Sequence, residues 1–81
     1  MLVSVRLFAT LREEAGVDRL ALELSRGATA EDAWRAVAAR HPALAQRRAS
    51  LAAAVNRHYA AWAQPLADGD EIAFIPPVSG G

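Results

Sequence analysis

Pro76-Pro77 directly follows a short apolar run, Ile72-Ala73-Phe74-Ile75, and this pair constrains the chain more than any other feature. A proline donates nothing to a strand ladder, so a strand over Ile72 to Ile75 has to stop there. Asp68-Gly69-Asp70 reads as the turn that delivers the chain into that strand. From Pro76 to Gly81 the chain is then an extended tail, able to span roughly 20 Å at about 3.3 Å per residue. That is deep enough to enter another protein's active site. Glycines pass through a narrow channel and leave a terminal carboxylate open to attack, which makes Gly80 and Gly81 the candidate site and Gly81 its reacting end. The competing reading is a frayed terminus. About one chain in two hundred ends in Gly-Gly by chance, so the strand, turn and diproline ahead of the pair carry much of the argument.

The chain has 81 residues and a formal net charge of zero. One domain is expected, with a single core and about 60 to 65% of the unfolded surface buried. No arm is strongly basic, so nothing resembles the electrostatic footprint of a nucleic-acid binder. There is no cysteine, which removes disulfides, thiolate metal sites and a thiol nucleophile together. Any sulfur chemistry has to use sulfur from elsewhere. No apolar run has the length of a signal peptide or membrane span, and the expected location is cytoplasmic, away from membranes. All nine basic residues are arginine. GC-rich coding accounts for that; a sharper explanation is that an activated C-terminal acyl group would be exposed to attack by a nearby lysine amine.

Along the chain, Leu2 to Phe8 alternates, with Val3, Val5 and Leu7 on one face and Ser4 and Arg6 on the other, as in a half-buried strand. Phe8 falls on the Ser4 side and is either a contact residue or an aromatic tucked under the next loop. Ala9 to Gly16 suits one irregular helical turn with Gly16 as its exit. Val17 to Leu24 alternates again, with Leu20, Leu22 and Leu24 facing inward and Arg19 and Glu23 outward, and pairs antiparallel with the first strand. Thr29 begins a helix as its N-cap, with Asp32 completing an approximate capping box. That helix runs to about Arg40, where Pro42 disfavours a helical His41. Ala30, Ala33, Val37 and either Trp34 or Ala38 form its apolar stripe. Ala43 to Ser50 reads as a connection containing a helical turn. Leu51 to Asn56 is a strand that reverses tightly, and Tyr59 to Ala63 returns. Trp62 is either a core anchor or part of a contact surface.

The order is two strands, one helix and three short strands, an α+β pattern. One main helix crossing a small mixed sheet suggests the β-grasp (ubiquitin-like) architecture, with first and last strands parallel at the centre. The expected division is a β-grasp domain over residues 1–75 and an extended C-terminal tail over residues 76–81.

Leu7-Phe8-Ala9, Leu11-Arg12-Glu13, Ala54-Val55-Asn56, the run Pro65 to Phe74 and the ending Ile75-Pro76-Pro77-Val78-Ser79-Gly80-Gly81 together resemble the small subunit of molybdopterin synthase. The resemblance covers the whole chain and is most specific in its last fourteen residues. It implies a ubiquitin-like sulfur carrier that binds no cofactor or metal itself. A ubiquitin-activating-like enzyme would adenylate Gly81 with ATP, and a sulfur donor, such as a cysteine desulfurase or rhodanese-like protein, would convert the adenylate to a thiocarboxylate. The tail would then enter the large catalytic subunit and supply sulfur for the dithiolene built on cyclic pyranopterin monophosphate. By the same resemblance, Phe8, Arg12, Phe74, Ile75, Pro76, Pro77, Val78 and Ser79 sit at or near the large subunit, and two small subunits bind a dimer of large ones.

Other readings stay open on the residues alone. A carrier of the same kind could serve thiamin synthesis or tRNA thiolation, a ubiquitin-like modifier would be joined to lysines of target proteins, and a noncovalent β-grasp module would have an inert terminus. A stand-alone enzyme lacks support: no nucleophile and base, metal cluster or glycine-rich phosphate loop is visible. Neither His41 nor His58 has partners that would make it a general base.

Overall fold

The computed structural model describes residues 1–76. Strand β1 (Leu2–Leu7) is followed by helix α1 (Ala9–Ala15), strand β2 (Arg19–Glu23) and helix α2 (Ala30–Arg40). A 3-10 helix (Pro42–Ser50) then leads to strands β3 (Ala52–Val55), β4 (His58–Ala60) and β5 (Glu71–Ile75). All five strands form one sheet in the order β2-β1-β5-β3-β4. Only the β1–β5 pair is parallel, with Val5 opposite Ile72 and Leu7 opposite Phe74. The expected β-grasp arrangement, with first and last strands side by side at the centre, is the one observed.

Alternation decides which face is covered. Val3, Val5, Leu7, Leu22, Ala53, Val55, Ile72 and Phe74 are buried, and they form one core with Ala30, Ala33, Trp34 and Val37 of α2. Each fully buried Val, Leu or Phe contributes about 1.5–3 kcal/mol. Trp34, not Ala38, completes the buried stripe of α2; Ala38 is only partly buried. The helix starts where Thr29 caps it: its hydroxyl accepts from the Asp32 amide at 3.3 Å, and the Thr29 amide donates to the Asp32 carboxylate at 2.9 Å. It ends at His41, immediately before Pro42.

Four local expectations need correction. α1 is a seven-residue helix rather than a single turn, because wholly buried Leu11 anchors it and Gly16, at φ 77°, donates its amide to the Arg12 carbonyl at 2.9 Å. Residues 42–50 form nine residues of 3-10 helix instead of a connection with one turn. The eclipsed i and i+3 side chains of such a helix are tolerated where several are alanine, and Leu44 is fully buried beneath it. On β2 only Leu22 is fully covered; Leu20, and Leu24 just past the strand's end, are partly buried, β2 being an edge strand. The β4 return is also shorter than expected and ends at Ala60.

The Asp68-Gly69-Asp70 turn ties the ends of several strands. Asp68 accepts from the Leu2 amide at 2.7 Å, and Gly69, at φ 87°, donates to the Leu2 carbonyl at 2.7 Å. Asp70 accepts from the Asn56 side chain at 2.9 Å and from the Ala67 amide at 2.8 Å. Asn56 Oδ1 in turn accepts from the Glu71 amide at 3.0 Å. One turn therefore sets the register of β5 against β1 and against the β3–β4 hairpin.

Candidate functional site

β5 is a central strand held on both sides, so its last residues form a rigid root for the tail. Its even-numbered residues, Ile72 and Phe74, enter the core, while Glu71, Ala73 and Ile75 face the other side of the sheet and are half-buried. Register continues that uncovered face across the strands: Arg6 is opposite Ala73, Ala73 opposite Ala54, and Ala54 opposite Tyr59. Two alanines make a low floor between larger neighbours. The result is a hollow of about 390 Å³ lined by Arg6, Phe8, Arg57, Tyr59, Glu71 and Ile75 around Ala54 and Ala73. Tyr59 is 78% exposed and Phe8 38%. The Arg6 guanidinium lies 5.2 Å from the Phe8 ring centroid, an attractive cation–π distance.

Behind the root, on the core side, Phe74 is 0% exposed. Trp34 meets it edge-on at 5.1 Å and Trp62 lies parallel to it at 5.8 Å. The outer face of Trp62 is covered by the Arg48 guanidinium, 3.5 Å from the ring centroid. Glu31 closes this arrangement: its carboxylate accepts three hydrogen bonds from Arg48, at 2.8 to 3.2 Å, and its amide donates to the Trp62 carbonyl at 2.9 Å. The Arg48 hydrogen bonds hold the Glu31 carboxyl below its ordinary value, and Glu31 raises Arg48 in return. Trp62 is thus a half-buried aromatic packed on the core.

The residues expected to meet a partner divide clearly. Phe8 and Ile75 share the hollow, and Arg12 is exposed on α1, four residues beyond Phe8. Pro76 is half-buried at the end of β5. Phe74 is corrected: its side chain belongs to the core and cannot contribute to an external surface. Pro77, Val78, Ser79, Gly80 and Gly81 lie outside the described residues. Sequence reasoning missed Arg6, Arg57, Tyr59 and Glu71 as lining residues. Strand parity places Arg6 and Glu71 on the uncovered face, but meeting Arg57 and Tyr59 there requires the β3–β5 register.

A second hollow, of about 480 Å³ beside Met1, Arg26 and Asp68, lies at the opposite end of the sheet from the tail root. Among the described residues, no group of three or more His, Cys, Asp or Glu side chains is placed to hold a metal ion. No helix among them is long and apolar enough to cross a membrane.

Comparison with known proteins agrees with this geometry. The sequence pattern of the ThiS family matches residues 5–81. A molybdopterin synthase sulfur carrier subunit from Chlamydomonas reinhardtii is 42% identical, over 100% of both chains. Among solved structures, SAMP1 from Haloferax volcanii superposes with a TM-score of 0.90 at 34% identity, covering 100% of both chains. A complex of subunits 1 and 2 of molybdopterin-converting factor from Helicobacter pylori contains a chain matching at a TM-score of 0.72 and 29% identity, again over 100% of both. The fold, the match along almost the whole sequence and the identity to full-length relatives lead to one conclusion: this chain belongs to the ThiS family, together with molybdopterin synthase sulfur carrier subunits.

Proposed function

We propose that this chain is the sulfur-carrier subunit of a molybdopterin synthase, with the Gly81 carboxyl as the group that carries sulfur. The observation that carries this reading is the full-length identity to a molybdopterin synthase sulfur carrier subunit, on a fold whose central strand ends at the root of a Gly-Gly tail. The chemistry explains why such a carrier needs no catalytic side chain. A carboxylate is a poor acyl donor until it bears a good leaving group. A nucleoside triphosphate and an adenylating partner supply one: the carboxylate oxygen attacks the α-phosphate, pyrophosphate leaves, and sulfide then attacks the acyl carbon, displaces AMP and loses its proton to solvent. The thiocarboxylate so formed is ionised at neutral pH and more nucleophilic than the carboxylate it replaces. It delivers sulfur to cyclic pyranopterin monophosphate within the large subunit, and two deliveries complete the dithiolene.

In this reading the β-grasp domain is the handle. The hollow between Phe8, Arg57, Tyr59 and Ile75 supplies a contact surface for the large subunit, and Arg12 extends it. The Helicobacter pylori complex of subunits 1 and 2 supports a two-subunit arrangement. The test is intact-mass spectrometry after incubation with ATP, the adenylating partner and a sulfide source. Replacement of one oxygen by sulfur on Gly81 is expected; an unchanged mass with an active partner would favour a noncovalent module. One observation favours a second reading, a protein modifier: the likeness to SAMP1, named small archaeal modifier protein 1, extends over the full fold. Covalent adducts of this chain on cell proteins would mark that activity.

A further inference from the structure

We infer that Arg57 serves a partner rather than the fold: it takes an Asp or Glu carboxylate of the large subunit while an apolar side chain of that subunit fills the hollow beside it. The inference rests on the sulfur-carrier reading and supplies the chemistry of its docking face.

The backbone conflicts with the residue it carries. Asn56 and Arg57 both have positive φ, 50° and 72°, as in a two-residue hairpin turn that prefers asparagine followed by glycine. Asn56 meets that demand and pins the turn. Its amide donates to the Glu71 carbonyl at 2.8 Å, its Oδ1 accepts from the Glu71 amide at 3.0 Å, and its Nδ2 donates to Asp70 at 2.9 Å. Arg57 instead places a Cβ where glycine is favoured, and it is the one charged residue at positive φ among the described residues. Its side chain returns nothing to the fold. It is exposed, and among the described residues it makes no hydrogen bond, ion pair or contact with an aromatic face. Arg6, Arg40, Arg47 and Arg48, by contrast, are all engaged within the chain. A turn fixed by three hydrogen bonds holds the base of Arg57 rigid, so less order is lost when its guanidinium engages a ligand.

The surroundings set the sign and shape of that ligand. Two guanidinium groups, Arg6 and Arg57, line the hollow against one carboxylate, Glu71, which forms no ion pair with either. Arg6 already lies against the Phe8 ring, at 5.2 Å. The excess of charge is positive and complements an acidic partner, and a guanidinium grips a carboxylate through two parallel N–H donors. Beside it, the alanine floor of the 390 Å³ hollow, between Phe8 and Tyr59, suits one apolar side chain inserted from the partner.

The test measures binding of the full chain to the large subunit by titration calorimetry, alongside urea unfolding of the chain alone. Arg57→Gly and Arg57→Asn both suit a positive φ and remove the charge. They are expected to keep or raise the unfolding midpoint, yet to weaken binding about tenfold and to flatten its dependence on salt. Arg57→Lys, with the charge but without the fork, should fall between them and the native chain. Arg26→Ala alters the second hollow, which shares no lining residue with the first, and should bind as the native chain does. Native affinity and salt dependence in Arg57→Gly and Arg57→Asn would overturn the inference. So would a lowered midpoint in both, which would give Arg57 a structural role, or failure of the native chain to bind the large subunit. The sulfur-carrier reading fails by a different result, absence of sulfur loading with ATP and an active adenylating partner.

Discussion

At Arg57 the backbone is held at φ 72°, next to Asn56 at φ 50°. These two residues form the loop between β3 and β4, where a positive φ at both central positions matches the twist of the hairpin. Asparagine suits its position and uses its side chain on Asp70 and Glu71. Arginine does not, since a side chain in the left-handed region costs about 1–2 kcal/mol. Arg57→Gly is therefore expected to raise the stability of the fold by about 1 kcal/mol, seen as a higher urea midpoint with an unchanged slope. Phe74 shows the opposite case. It is wholly buried between Trp34 and Trp62, and Phe74→Ala should cost about 3–5 kcal/mol, a large part of a small domain's total. An unfolding midpoint close to the native value would contradict the packing described.

At the scale of elements, α2 is held at its start by hydrogen bonds that depend on ionised carboxylates. Glu31 lies below its ordinary value of 4.5, chiefly through its hydrogen bonds from Arg48, and Asp32 below 3.8, chiefly through the Thr29 amide and then the Thr29 hydroxyl. A lowered carboxylate value means that the unfolded chain binds protons more readily. The stabilisation is complete above these ordinary values and is lost as pH falls through the lower values of the folded chain. Denaturant melts should accordingly weaken as acid is added below about pH 4.5, and Glu31→Gln should flatten that decline. An unchanged acid limb in Glu31→Gln would show that Glu31 does not contribute to it. Thr29→Ala deletes the cap and should cost about 1 kcal/mol with the fold retained. The 3-10 helix depends on Leu44 and on the Arg47 and Arg48 ion pairs to Glu14 and Glu31, so its loss should accompany theirs.

For the whole molecule, the parallel β1–β5 pair places the tail root at the middle of the sheet, backed by the core and beside the hollow. Folding and function are therefore separable along the chain. Adding one residue after Gly81 should leave the thermal midpoint unchanged, because the core and the sheet are built from residues 1–75. On the proposed sulfur-carrier function it should also abolish sulfur loading, because the terminal carboxyl would no longer belong to Gly81. Full loading of the extended chain would argue against Gly81 as the carrier atom's site.

The features that the sequence determined by itself are those governed by near neighbours. Alternation from Leu2 to Leu7 assigns the buried face of β1, Thr29 and Pro42 bound α2, and Pro76 ends β5, because each rests on contacts or restrictions within a few residues. Tertiary structure alone decided the rest. Arg48 finds Glu31 across 17 positions and Leu2 finds Asp68 across 66; no local pattern encodes such meetings. Trp62 could be read as core or contact from its neighbours, and only the stack between Phe74 and Arg48 settles it as packed on the core. The family resemblance puts Phe74 among the partner contacts, yet parity in a sheet covered on one face turns its side chain inward. The hollow is likewise a product of register: Arg6, Ala73, Ala54 and Tyr59 share one row only because three strand pairings bring distant segments to the same level of the sheet.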